Sequence, residues 1–213
     1  MELTTYSIKE IYYTLQGEGI QAGRAALFCR FAGCNLWSGL EKDRLGAQCN
    51  FCDTDFLGTN GENGGRFKTA SELARHANKF WPDETTKKFI VLTGGEPMLQ
   101  VDSSLISELH SLNFEIAIET NGTIICPPEI DWICVSPKAG TKISQKTGNE
   151  LKIIYPQPGL NFSKLLDLSF EYFLIQPMDG PNVKANTAAS VKFCKENPNW
   201  RLSLQTHKQL RLK

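Results

Sequence analysis

The sequence predicts an α/β fold, a parallel sheet curled into a partial, incomplete TIM-like βα barrel. Three observations carry this expectation. Short apolar, β-branched runs recur along the chain, with helix-periodic segments between several of them. The runs are of strand length and mostly apolar, as in a buried parallel sheet built from βα units. Polar or glycine-rich signatures follow at least four of these runs directly, and in a barrel such strand ends meet on one face. Seven or so strands do not suffice for eight full βα units, so the barrel is expected to stay open.

Taken in order, Ala25 to Phe31 is the first apolar run. Ser38 to Ala47 and Leu57 to Arg66 are rich in polar residues and glycine and read as loops. A helical pattern spans Ala70 to Phe80, with Ser71 as its expected N-cap. Phe89 to Leu92 runs straight into Thr93 and two glycines. Val101 to Leu112 reads as a helix capped by Asp102. Glu115 to Ile118 leads into Glu119-Thr120-Asn121-Gly122, and Trp132 to Val135 into Ser136-Pro137-Lys138. Leu151 to Ile154 ends at Tyr155-Pro156, before a helical pattern at Phe162 to Leu168. Tyr172 to Ile175 leads into Gln176-Pro177-Met178-Asp179, and a last helix fits Lys184 to Glu196. Leu202 and Leu204 mark the final apolar run. No repeat and no linker divides the chain, so one domain over residues 1–213 is expected.

Composition excludes several classes. The 213 residues are 41% hydrophobic and 22% charged, ordinary values for a globular domain and wrong for disorder or coiled coil. Lys plus Arg and Asp plus Glu are 23 each, so no global field attracts a phosphate backbone, and nucleic acid is not expected as a direct ligand. No apolar run reaches the roughly 18 residues of a membrane span. The stretch from Met1 to Tyr13 mixes Glu2, Lys9 and Glu10 with apolar residues and lacks a signal-peptide core. A cytoplasmic location is the expectation. There the seven cysteines do not form a disulfide framework.

Cys34, Cys49 and Cys52 form a C-x14-C-x2-C pattern. The close pair can face one centre from a tight loop, and the fourteen-residue excursion must deliver the third thiol. A structural zinc site wants four closed ligands, and His76 is a candidate fourth. An iron–sulfur cluster held by three thiolates leaves one iron open to a small molecule. The residues alone leave cluster, zinc site and plain core thiols open. Cys29 and Cys134 sit in predicted strands and read as buried core thiols, while Cys126 and Cys194 have no metal spacing. In Thr93-Gly94-Gly95-Glu96-Pro97 the paired glycines lack Cβ atoms, so a ligand can approach the backbone closely.

Together these residues resemble one family. The cysteine triplet after the first predicted strand, with Gly-Gly-Glu-Pro after the next, is similar to the radical S-adenosylmethionine enzymes. Their usual spacing is C-x3-C-x2-C, and the longer gap here resembles the variation of one subfamily, the 7-carboxy-7-deazaguanine synthases. The likeness extends along nearly the whole chain. It takes in Thr14-Leu15-Gln16-Gly17-Glu18-Gly19, Cys29 to Trp37, Cys49 to Thr54, Glu119 to Gly122, Ser136 to Lys138, Gln176 to Asp179 and Gln205-Thr206-His207-Lys208.

The resemblance implies a partial barrel of the radical SAM type, a 4Fe-4S cluster on Cys34, Cys49 and Cys52, S-adenosylmethionine on the open iron, and Mg2+ on Thr54. It implies a lyase that takes 6-carboxy-5,6,7,8-tetrahydropterin to 7-carboxy-7-deazaguanine with loss of ammonia, in the deazapurine pathway to queuosine. Leu15, Gln16, Gly17, Arg30, Thr93 and Lys213 would bind the substrate. Arg30 suits its carboxylate because a guanidinium fork holds two oxygens at once. Phe51, Cys52, Asp53, Gly95, Ser136, Pro137, Lys138, Gln176, Pro177, Met178 and Asp179 would contact S-adenosylmethionine. The end Leu210-Arg211-Leu212-Lys213 is more basic than the family's pattern, and His207 is the other polar group near it. An electron donor such as a flavodoxin and a homodimer are also implied. Two other readings compete: an activase that makes glycyl radicals on a partner protein, and a zinc-stabilised binding module.

Overall fold

The computed structural model describes residues 5–83 and 85–213. Residues 1–4, part of the stretch read for a targeting signal, lie outside the described residues. In chain order the elements are β1 (Tyr6–Leu15), β2 (Ala25–Phe31), β3 (Gly65–Phe67), α1 (Ala70–Asn78), β4 (Lys88–Gly94), α2 (Ser103–Ser111) and β5 (Phe114–Thr120). Then follow β6 (Trp132–Val135), β7 (Thr147–Tyr155), α3 (Phe162–Leu166), β8 (Ser169–Pro177), α4 (Val183–Glu196), β9 (Trp200–Leu202) and α5 (Thr206–Leu210).

Among the described residues, nine strands form one sheet in the order β3-β1-β2-β4-β5-β6-β7-β8-β9. From β2 to β9 every neighbouring pair is parallel, which makes the seven parallel strands of the expected open barrel. β1 and β3 add an antiparallel edge that the sequence pattern did not reveal. The run at Leu57 to Arg66 is accordingly a loop that ends in a strand, and Ser38 to Ala47 contains a 3-10 turn at Glu41–Gly46. No helix separates β5 from β6 or β6 from β7, so these connections depart from the βα pattern.

Two apolar clusters support the sheet. One gathers β1, β2, β4 and β5 under α1 and α2, with Ile11, Leu27, Val91, Leu105 and Ile116 fully buried. The other gathers β6 to β9 with α3 and α4 around Val135, Leu151, Ile153, Ile175 and Trp200. Cys29 and Cys134 are buried, as their strand positions predict. α1 starts at Ala70 as expected, but its cap lies two residues before the expected one: Thr69, not Ser71, accepts the Glu72 N–H, while the Glu72 carboxylate takes the Lys68 N–H at 2.8 Å. Asp102 caps α2 through the Leu105 N–H at 2.9 Å, as predicted.

Candidate active site

The C-terminal ends of β2, β4, β5, β6, β7 and β8 surround one cavity of about 460 Å³. The signatures that follow β2, β4, β5, β6 and β8 therefore reach a common wall.

The cysteine loop leaves β2 at Ala32. Its fourteen-residue excursion is folded back by Arg44, whose guanidinium donates to the Asn50 carbonyl at 3.1 Å and the Cys52 carbonyl at 3.0 Å. The same group stacks on Trp37 at 4.1 Å and pairs with Glu41. Trp37 meets Phe56 edge-on, and the Cys49 N–H donates to the Leu36 carbonyl. Asn35 ties the loop to the β5 exit through Thr123 and Asn121, at 2.8 Å each. These contacts bring Cys34, Cys49 and Cys52 to one cavity despite the long gap. The Leu36 N–H donates to the Cys34 sulfur at 3.4 Å. A hydrogen bond from the Cys49 thiol, helped by the Thr54 N–H, holds the Cys52 thiol down at about 6, whereas burial pushes Cys34 up.

Behind this loop, Gly94 and Gly95 permit a close approach, but of backbone. A Cβ on Gly94, whose φ is 129°, would strike the Phe31 carbonyl, and one on Gly95 would strike the Gly33 carbonyl. The neighbour they accommodate is the β2 exit, which sets the cysteine loop against β4; Gly95 also faces the cavity. Glu96 is fully buried and binds the Met98 N–H, the Thr120 hydroxyl and the Asn121 N–H. It braces the exits of β4 and β5.

The far wall is made by Ser136 and Lys138 after β6 and by Gln176 to Asp179 at and after β8. The Lys138 ammonium is held by the Ser136 hydroxyl at 2.9 Å and its carbonyl at 2.5 Å; burial pulls it below its ordinary value. Pro137 does not line the cavity. Its carbonyl faces the Gln157 amide, which also accepts from the Ala139 N–H.

The remaining wall collects charged groups. Arg30 donates through Nε to Glu10 at 2.9 Å and through Nη2 to the Tyr12 hydroxyl at 3.0 Å. Lys213 also pairs with Glu10, at 3.1 Å, and its carbonyl accepts from Thr14. Gln16 bridges the Glu18 N–H and the Glu119 carboxylate. Lys152 reaches between Glu18 at 2.5 Å and Glu119 at 2.8 Å. Burial alone would raise Glu18, but Lys152 outweighs it and holds that carboxyl down at about 2. α5 closes this side: Thr206 donates to the Gly17 carbonyl, His207 packs on Gly17, and Lys208 joins Asp53 to Asp179.

With the exception of Pro137, every residue expected at the site lines this cavity. Sequence reasoning assigned no role to Glu10, Tyr12, Glu18, Glu119, Lys152, Gln205 or Lys208, which line it as well. Glu18, Glu119, Gln205 and Lys208 lay within motifs already singled out. For Lys152 the available signal was a lysine inside an apolar strand.

The donor set fits an iron–sulfur cluster. Three thiols share a cavity walled partly by Leu36, Trp37, Phe51 and Phe56, and backbone N–H groups are directed at two of the sulfurs, those of Cys34 and Cys52. A four-iron cluster spreads its thiolates wider than a single ion does, and among the described residues no three Cys, His, Asp or Glu side chains are placed to grip one ion. His76, the candidate fourth zinc ligand, is elsewhere: its Nε2 is 3.0 Å from the Asn63 carbonyl and its ring packs on Phe67 and Phe80. The zinc module loses its fourth ligand.

Residues 46–153 match the model of the Radical SAM superfamily. A 7-carboxy-7-deazaguanine synthase from Burkholderia multivorans is 56% identical over 208 residues, 98% of this chain and 99% of the relative. One from Caulobacter vibrioides is 56% identical with the same coverage. The crystal structure of QueE from Escherichia coli superposes with a TM-score of 0.66 at 25% identity, covering 94% of this chain and 93% of that one. Fold, cysteine loop and matches together define a radical SAM enzyme, a class built around a 4Fe-4S cluster and S-adenosylmethionine. Within that class the near-complete coverage at high identity decides the matter, and the glycyl-radical activase reading gains nothing from it. The chain belongs to the 7-carboxy-7-deazaguanine synthase family.

Proposed function

We propose that this single-domain protein is a carbon–nitrogen lyase that converts 6-carboxy-5,6,7,8-tetrahydropterin to 7-carboxy-7-deazaguanine and ammonia, making the queuosine precursor. Substrate equals product plus ammonia atom for atom, so the overall change is redox-neutral. The observation that carries this reading is the sharing of one cavity by three cysteine thiols at one wall and Arg30, Gln16 and the Glu18–Lys152–Glu119 group at another.

Cys34, Cys49 and Cys52 would hold three irons of the 4Fe-4S cluster. Bound together, cluster and S-adenosylmethionine would supply one-electron chemistry for hydrogen abstraction. The residues of this chain bind and orient. Phe51, Asp53, Gly95, Ser136, Lys138 and Gln176 to Asp179 form the side of the cavity suited to S-adenosylmethionine, with Pro137 setting the turn between Ser136 and Lys138. Arg30 has five N–H donors. Glu10 and Tyr12 fix its plane through two of them, and the others suit the substrate carboxylate. Leu15, Gln16, Gly17 and Thr93 border the same space, and Lys213 lies beside Arg30 on the shared Glu10. Thr54 offers a hydroxyl to Mg2+, with the substrate completing the shell.

A homodimer, a flavodoxin-like electron donor and a cytoplasmic setting accompany this reading. Among the described residues no helix is long and apolar enough to cross a membrane. The test is an anaerobic assay with reconstituted cluster, S-adenosylmethionine, reductant, Mg2+ and the carboxytetrahydropterin. Formation of the deazaguanine with an equivalent of ammonia is expected. A brown, cluster-loaded protein that cleaves S-adenosylmethionine but leaves the pterin unchanged would overturn the substrate assignment.

A further inference from the structure

Strand β7 sends two charged side chains to the same face, Glu150 and Lys152, two residues apart and flanking Leu151. Both are buried: 3% and 2% exposed. Such groups are costly to desolvate and persist where partners hold them. Glu150 has structural partners, the Trp132 indole N–H at 2.7 Å and the Ile20 N–H at 3.2 Å, and it sits where a Cβ on Gly19 would collide. It pins the segment after β1 from below. Lys152 is different because both of its carboxylate partners face the cavity.

The Lys152 ammonium joins Glu18 from the segment after β1 and Glu119 from the end of β5. Each carboxylate has a second anchor on its other oxygen: Gln205 donates to Glu18 at 2.9 Å, and Gln16 donates to Glu119 at 3.3 Å. One lysine from the sheet thus fixes two acceptors that come from distant segments, 101 residues apart in the chain by their numbers, 119 − 18. Without the cation, two carboxylates would face each other in a buried space, and like charges there cannot both remain ionised without penalty.

We propose that Lys152 is the positioning residue of the substrate side of the cavity, holding Glu18 and Glu119 together as a pair of charged acceptors for the N–H donor edge of the pterin. The inference rests on the pterin reading above and adds a residue that does not itself need to touch substrate. Glu18 is held down at about 2 by Lys152, which supports a permanently ionised pair at neutral pH. The other titratable groups that bear on Glu18, Lys152 and Glu119 are Cys134 from β6, Glu150 from β7, His207 from α5 and Lys138 after β6.

The experiment compares holoenzyme with Lys152→Met and Lys152→Arg, measuring equilibrium binding of the carboxytetrahydropterin and of S-adenosylmethionine, and the pH profile of turnover. Lys152→Met is expected to weaken pterin binding at least tenfold at neutral pH and to leave S-adenosylmethionine binding and cluster content unchanged. Its carboxylates now repel, so one takes up a proton. Activity and pterin affinity should then recover as pH rises through the raised carboxyl pKa, where wild type is flat. Lys152→Arg keeps the charge and should keep the flat profile, with a smaller, pterin-selective loss. Pterin affinity in Lys152→Met equal to that of wild type, or a loss shared equally by both ligands, would overturn the proposal. If Lys152→Met does not fold, Lys152→Arg decides: an equal loss for both ligands overturns the proposal, and a pterin-selective loss with a flat profile supports it. Failure of wild type to bind the pterin would instead refute the substrate reading, a separate outcome.

Discussion

The Glu96 carboxylate and the Asn121 backbone N–H are hydrogen-bonded at 2.7 Å across the exits of β4 and β5. The Gly-Gly-Glu-Pro motif is therefore a joint between strands as well as a wall of the cavity. Replacing Glu96 by Ala leaves the Met98 N–H, the Asn121 N–H and the Thr120 hydroxyl without this acceptor in a fully buried place. An unsatisfied buried group costs roughly 1–3 kcal/mol, so the variant should lose about 3 kcal/mol or more. Glu96→Gln keeps one acceptor oxygen and should lose less. Urea unfolding of the two variants checks the order; a wild-type midpoint for Glu96→Ala would contradict the brace.

The cysteine loop makes a prediction of contrast. Cys34→Ala, Cys49→Ala and Cys52→Ala should each abolish turnover and strongly reduce iron content after anaerobic reconstitution. Cys194→Ala and Cys126→Ala should do neither, since neither thiol lines the cavity. Iron analysis and the cluster's visible absorbance give the readout. A full cluster in Cys34→Ala would refute the delivery of that thiol by the fourteen-residue excursion.

Arg30 is oriented before any ligand arrives, by Glu10 and Tyr12. Arg30→Ala should weaken binding of the carboxylated pterin far more than binding of S-adenosylmethionine. A hydrogen bond to a charged group is worth roughly 1.5–3 kcal/mol, which is on the order of tenfold to a hundredfold in affinity. Titration of each ligand measures the difference, and an equal loss for both would make Arg30 a structural residue.

What the sequence made legible follows from burial. The parallel strands β2, β4 and β5 and the middle of β7 are largely buried, so they read as mostly apolar runs. The strand ends then read as signatures because chemistry and turns both need polar residues and glycine there. β1 escaped because its register shifts between Ile8 and Glu10, which breaks the alternation that marks a strand. α5 has five residues, too few to show a period, and forms through tertiary contacts such as Thr206 to the Gly17 carbonyl. The sequence shows no helix-periodic segment on either side of β6, and the structure has no helix there, so the departure from strict βα alternation was already legible. The charged network of Lys152 joins residues far apart in sequence, and spacing carries no trace of such a meeting.

Acid should expose one surface pair. Arg24 holds Glu115 through both carboxylate oxygens, at 2.7 and 2.8 Å, and lies over the Phe89 ring. That hydrogen bonding, with Lys87 in support, holds Glu115 down at about 2 from the ordinary 4.5. A carboxyl depressed in the folded state stabilises it above the unfolded value, and the contribution fades as pH falls toward the folded one. After allowance for solvent screening the pair is worth about 1 kcal/mol. Wild type should exceed Glu115→Gln in stability by that amount at pH 6, and the gap should close between about pH 4.5 and pH 2. Denaturant midpoints along this range test it; a gap independent of pH would assign the effect to packing.

The magnesium prediction follows from how little the protein offers. Thr54 faces the cavity between two carboxylates, but Asp53 is paired with Lys208 at 2.5 Å and Asp55 with Lys9 at 2.9 Å. On the proposed magnesium reading the hydroxyl would be the one protein ligand left, and one hydroxyl does not hold an ion that wants six oxygens and releases water reluctantly. The substrate carboxylate must contribute, and linkage then requires metal and substrate to raise each other's affinity by the same factor. Pterin affinity should therefore rise with Mg2+, while S-adenosylmethionine affinity changes little. Thr54→Ala should remove most of this dependence and keep the cluster, because the bond to the Cys52 sulfur comes from the Thr54 backbone N–H. Thr54→Ser keeps the oxygen and should keep much of the effect. Pterin titrations with and without Mg2+ on the three proteins decide it. A wild-type response in Thr54→Ala would place the ion on other ligands, with Asp53 or Asp55 released from its lysine the first to examine.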